Sequence, residues 1–180
     1  FGFVGGFLAL FFFFSFVMAF LRAGKGSTGF LPGTSVVAVV PLEGEIERSD
    51  DFVETLADLQ EDQRYAAVVV RIDSPGGAVA PSQEMYEAVR RLREKKPVIA
   101  SLGSVAASGG YYVASAADTI VASPGTLTGS IGVIMSLTNV RGLMDKLGVE
   151  ATIVTASKWK DTASPFRAVT PEERDMLQKM

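Results

Sequence analysis

Apolar and polar positions divide this chain into three regimes. Residues 1 to 21, FGFVGGFLALFFFFSFVMAFL, carry no charge. Residues 23 to 34, AGKGSTGFLPGT, are small, glycine-rich and weakly polar, as expected of a linker. From residue 35 onward, short apolar runs alternate with amphipathic stretches. SVVAVVPLEGEI (35–46) reads as β structure, and AAVVVRID (66–73) is a continuous apolar run, as expected of a strand buried on both faces. Between them, SDDFVETLADLQEDQ (49–63) sets Phe52, Leu56 and Leu59 at helical spacing behind a Ser49 or Asp50 cap. SPGGAV follows as a turn. PSQEMYEAVRRLREKK (81–96) is an amphipathic helix with Met85, Val89 and Leu92 inward, its lysines on a solvated face. PVIASL is the next strand, ASGGYYVASAA a short helix and DTIVAS a return to β structure. NVRGLMDKLG (139–148) reads as a helix and VEATIVTAS (149–157) as a further strand. This alternation predicts an α/β domain with a largely parallel sheet and helical crossovers.

As a helix, the uncharged run would span about 31 Å, close to the hydrocarbon thickness of a bilayer. It exceeds the usual apolar core of a signal peptide and lacks a good small-x-small cleavage site. We expect a transmembrane helix over 1–22, a linker over 23–34 and a soluble domain over 35–180. The chain starts at Phe1. TPEERDMLQKM opens a helix with Thr170 as cap, Pro171 at the first position and Glu173 closing a capping box. The chain ends soon afterwards, so we expect a piece of a longer protein.

The soluble part carries 15 basic and 20 acidic residues. That balance argues against a nucleic-acid partner, which would call for a basic face. The sequence contains neither cysteine nor histidine. Thiolate catalysis, Ser-His-Asp triads and histidine metal sites are therefore excluded. No cofactor or metal is expected.

In an α/β sheet, binding groups gather beyond the carboxyl ends of strands. Two such ends stand out, IDSPGG and SLGSVAASGG. Ser108 lies between two alanines and two glycines. That setting fits a small-residue helix packed close to the sheet, and it equally fits a nucleophile that a peptide carbonyl must reach. At the start of a helix the free N–H groups favour negative charge, and the Gly109 N–H would face an oxyanion there. On this reading, Gly109→Val should damage turnover far more than folding. A second donor would come from the Gly-Gly pair, with Gly77 preferred to Gly76. A serine needs a base, and without histidine the plausible one is a neutral lysine. Its pKa would have to fall by roughly 3 units from about 10.4, a shift that burial can supply. In TASKWKDTASPF, Lys158 and Lys160 both qualify by spacing, and Asp161 would have to point away.

Taken together, IDSPGG, SVAASGGYY, TGSIGV (128–133) and KWKD (158–161) resemble the signal peptide peptidase A family of membrane-bound Ser/Lys serine proteases. The resemblance covers roughly residues 35 to 180. It implies a Clp protease/crotonase-like spiral of β-β-α units. By position it implies Ser108 as nucleophile, Lys160 as general base, Ser130 as the hydroxyl orienting that lysine, and Gly109 and Gly77 as oxyanion donors. It also implies hydrophobic peptide substrates such as released signal peptides, a homo-oligomer and an extracytoplasmic domain, although Arg22 and Lys25 taken alone favour the cytoplasm. Trp159 stands where the family has tyrosine, and Ser157 where it has glycine. The alternatives are a related protease cleaving membrane-protein tails, a crotonase-fold acyl-CoA enzyme and a non-catalytic membrane scaffold.

Overall fold

The structure, a computed structural model, describes residues 36–179. The expected transmembrane helix and linker lie outside the described residues. Among the described residues, no helix is long and apolar enough to cross a membrane. The chain divides into two compact units, one ending at Ile131 and the other running from Gly132.

The first unit is α/β. Its elements are β1 (Val36–Ile46), α1 (Asp50–Glu61), β2 (Tyr65–Gly77), α2 (Val79–Arg93), β3 (Val98–Ala107), α3 (Gly109–Ala114), β4 (Thr119–Val121) and β5 (Leu127–Gly129). The strands form one parallel sheet in the order β1-β2-β3-β4, and β5 pairs with the far end of β3. Helices join the strands as crossovers, as the alternating pattern predicts. The core forms where Ala38, Val40, Leu42, Val68, Val70, Ile72, Val98 and Ala100 of the strands meet Phe52, Leu56 and Leu59 of α1 and Met85, Val89 and Leu92 of α2.

Two expectations change here. SPGG is not a turn. It is the end of β2, with Glu45 opposite Gly76 and Ile46 opposite Gly77. The strand accommodates Pro75 because its pairing shifts register between Glu43 and Glu45. Lys96 is not solvated. It is buried, and its Nζ donates at 2.6 Å to the carbonyls of Leu59 and Asp62, which end α1. A helix leaves its last carbonyls without intrahelical donors, and this ammonium supplies two of them.

The second unit contains α4 (Arg141–Leu147) and α5 (Pro171–Gln178). The capping box at Thr170 and Glu173 forms as the sequence indicates. The expected strand at 149–157 is absent, and the described part of this unit contains no strand that could pair with it. An isolated strand cannot satisfy its backbone, so the apolar run does not extend into one. The unit is held instead by Arg167, whose guanidinium binds both Asp161 and Glu173.

Candidate active site

β3 and β5 pair in register up to Ala107 and Gly129. A serine follows each strand end directly, Ser108 after β3 and Ser130 after β5. Both serines have positive φ, 53° and 51° respectively. A non-glycine residue in such a conformation costs about 1–3 kcal/mol and persists only when its surroundings over-determine it. At Ser108 they do. Its N–H donates to the Gly129 carbonyl at 2.8 Å, and its own carbonyl accepts the Tyr112 N–H at 2.8 Å. The chain thus leaves a buried strand, turns sharply at Ser108 and enters α3. The Ser108 hydroxyl caps no helix N–H, and the side chain is partly accessible. As the first residue of α3, Gly109 has no intrahelical acceptor, and its N–H makes no hydrogen bond among the described residues.

The small residues around Ser108 are explained by contact with neighbouring backbone. Gly76, at φ 94°, lies directly against the Ser108–Gly109 peptide. A Cβ on Gly76 would fall 2.6 Å from the Gly109 nitrogen and 2.8 Å from the Ser108 Cβ. Ser74 is fully buried beneath this turn, and its hydroxyl accepts the Gly76 N–H at 3.1 Å. Gly77 faces the other way, packed on Ile46 of β1. A Cβ on Gly109 would overlap the Ser82 hydroxyl. Ser82 is buried at the start of α2, where it donates to the Ala78 carbonyl at 2.7 Å. The space beside Gly109 is therefore filled by protein. This corrects the expectation that Gly109→Val would damage turnover far more than folding, because any side chain there meets α2 first.

Ser82 and Asp73 pack at the candidate site without having been singled out from the sequence, and Gly76, the less favoured of the glycine pair, is the one that touches the Ser108 turn. The glycine pair and IDSPGG did point to the segment. The contacts themselves join residues some 30 positions apart and leave no local signal.

The lysines belong to the second unit, in the turn that follows Ser157. Lys160 is exposed, its N–H donates to the Ser157 carbonyl at 3.3 Å, and its ammonium has no ion-pair partner among the described residues. Lys158 is engaged. Its ammonium lies 2.6 Å from Glu172 and 4.6 Å from the centre of the Trp159 ring. Asp161 is turned to Arg167 at 2.8 Å, which lowers its pKa from the ordinary carboxylate value. Of the two lysines, Lys160 is thus the one that carries no carboxylate.

Similarity to known proteins bears on the family and the fold. The sequence pattern of Peptidase family S49 matches residues 90–180, and that of Clp protease matches residues 35–127. A relative from Synechocystis sp. is 45% identical over 120 residues, 67% of this chain and 43% of its own. The chloroplastic serine protease SPPA of Arabidopsis thaliana is 35% identical over 169 residues, 86% of this chain and 25% of its own. Protease 4 of Salmonella typhi is 38% identical over 130 residues, 72% of this chain and 21% of its own. The chain thus spans less than half the length of these relatives. Among solved structures, a membrane-bound stomatin-specific protease superposes with a TM-score of 0.53 at 22% identity, over 59% of this chain and 53% of that one. At that identity the likeness speaks to the fold alone, which is the α/β Clp protease-like fold with a parallel sheet. The chain belongs to peptidase family S49.

Proposed function

We propose that this chain forms the catalytic part of a membrane-anchored serine endopeptidase that cleaves hydrophobic peptides, released signal peptides among them. The observation that carries the reading is the elbow at Ser108, where a serine held at positive φ is followed by a Gly109 N–H with no partner among the described residues.

In this reading the Ser108 Oγ attacks the scissile carbonyl carbon while Lys160 Nζ takes the hydroxyl proton. The carbonyl oxygen becomes an oxyanion. It accepts from the Gly109 N–H and from the Gly77 N–H, each such donor being worth about 3–4 kcal/mol in a dry site. Lys160 passes its proton to the leaving amine, and water hydrolyses the acyl-enzyme by the same steps with the same base. Ser130 holds the lysine in line. Residues 1–22 anchor the protein, the catalytic domain is extracytoplasmic and the working form is a homo-oligomer.

Ser108→Ala and Lys160→Ala should each abolish cleavage of an apolar reporter peptide while the melting transition persists. Wild-type cleavage in either variant would overturn the assignment. A second substrate class, membrane-protein tails, is raised by the stomatin specificity of the structural neighbour. Peptide-library profiling separates the two classes.

A further inference from the structure

Just before Ser108, β3 is not a regular strand. Ile72 pairs with Leu102 and Ser74 with Ala106, so β3 spends four residues where β2 spends two. The two extra residues bulge opposite Asp73. Its carboxylate accepts the Val105 N–H at 3.0 Å and the Ser104 N–H at 3.3 Å. The bulge also carries Gly103, where a Cβ would sit 2.6 Å from the Asp73 Oδ2. The carboxylate therefore occupies the room that the missing side chain leaves. On the other side, Thr126 Oγ1 donates to the Gly103 carbonyl at 2.8 Å. Arg71 donates to the Leu102 carbonyl at 3.1 Å.

A bulge removes ladder bonds, and its backbone groups must find other partners. Here side chains from the flanking segments supply them. The carboxylate is the one partner that binds two consecutive N–H groups, and bonds to a charged acceptor are the stronger kind. Three residues beyond Val105 the chain reaches the strained turn at Ser108. Where β3 ends, and in what register with β5, depends on how many residues the bulge absorbs.

We propose that Asp73 is a positioning residue for Ser108: its carboxylate holds the two-residue bulge of β3 and so fixes where the strand stops and the turn begins. This rests on the peptidase reading for its effect on catalysis, but not for its effect on structure. The test uses the whole chain with Asp73→Asn, which keeps the shape and one acceptor oxygen but sets an amide N–H₂ against one of the two donors. Gly103→Ala, which displaces the carboxylate from the opposite side, is the second variant. Three quantities are measured: labelling of Ser108 by a fluorophosphonate, kcat and KM on a reporter peptide, and amide exchange at Ser104, Val105 and Ser108.

For Asp73→Asn, labelling and kcat should fall roughly 10- to 100-fold, the scale expected when a reacting group is misplaced by about 1 Å. KM should stay within about twofold, because the binding surface is untouched. The Ser108 N–H should exchange faster along with those of Ser104 and Val105. Unchanged labelling and kcat overturn the proposal, as does a loss no larger than the unfolded fraction at the assay temperature. If the wild-type chain neither labels nor cleaves, the peptidase reading fails and the exchange data still decide the positioning claim. Faster exchange at Ser108 upholds it, and loss confined to Ser104 and Val105 refutes it.

Discussion

Gly109→Ala asks whether the bare surroundings of Ser108 serve packing or substrate approach. The added methyl would overlap the Ser82 hydroxyl, lie 3.2 Å from the Ser82 Cβ and stand 3.4 Å from the Gly76 Cα. Only the first of these contacts is severe, and it comes from a single removable atom. Overpacking of a tight site costs about 1–3 kcal/mol. For a chain of this size that corresponds to a drop in melting temperature of roughly 2–12 °C. Ser82→Ala alone removes a hydroxyl–carbonyl hydrogen bond and should cost about 1 kcal/mol. In the double variant the offending oxygen is gone, and the remaining approach needs a shift of only a few tenths of an ångström. The double variant should therefore be more stable than the sum of the single losses by about 1–2 kcal/mol, the size of coupling expected for touching residues. Thermal melts of the four proteins measure this coupling, and fluorophosphonate labelling of Ser108 reports in parallel whether the turn is restored. Simple additivity, or a Gly109→Ala variant that melts with the wild type, would refute the packing argument.

Two further perturbations probe the units separately. Lys96→Met keeps the length of the side chain but strips the Leu59 and Asp62 carbonyls of their buried donor. It should destabilise the first unit by about 1–3 kcal/mol in urea titrations, and an unchanged midpoint would show that water replaces the ammonium without loss. In the second unit, Arg167 holds the Glu173 carboxyl down to about 2, with help from the Thr170 N–H, and it lowers Asp161 as well. A depressed carboxyl contributes stability above its unfolded value of about 4.3, and that contribution is lost as pH falls towards the folded value. Fluorescence of Trp159, the single tryptophan, reports on this unit. Its urea midpoint should be steady above about pH 5 and fall between about pH 4.5 and 2. Arg167→Ala should flatten that acid dependence, and a wild-type midpoint independent of pH over the window would contradict the assignment.

What the sequence made legible follows from which forces are local. The apolar run 66–73 announced a strand, although only one face of it, Val68, Val70 and Ile72, is buried rather than the expected two, and a helix packed by one face must space its apolar residues as Phe52, Leu56 and Leu59 do. Thr170 and Glu173 cap each other across three residues, within the reach of local reading. The misreadings all concern groups whose partners lie far along the chain. Pro-Gly is turn chemistry by composition, and only the pairing of Gly76 and Gly77 with β1 keeps SPGG in a strand. Lys96 sits in a charged stretch and looks solvated, until the end of α1 is brought over it. The run 149–157 has the composition of a strand but no partner in its unit. Ser108 joins both kinds of reasoning. Its small neighbours were legible, but packing and catalysis looked like rival explanations for them. The contacts of Gly76 and Gly109 remove the rivalry. Two backbones can meet behind Ser108 only if glycines stand there. That meeting holds the serine at positive φ, with its hydroxyl making no cap bond and the next N–H left without an acceptor among the described residues. The packing fixes the turn on which the proposed role of Ser108 as nucleophile rests.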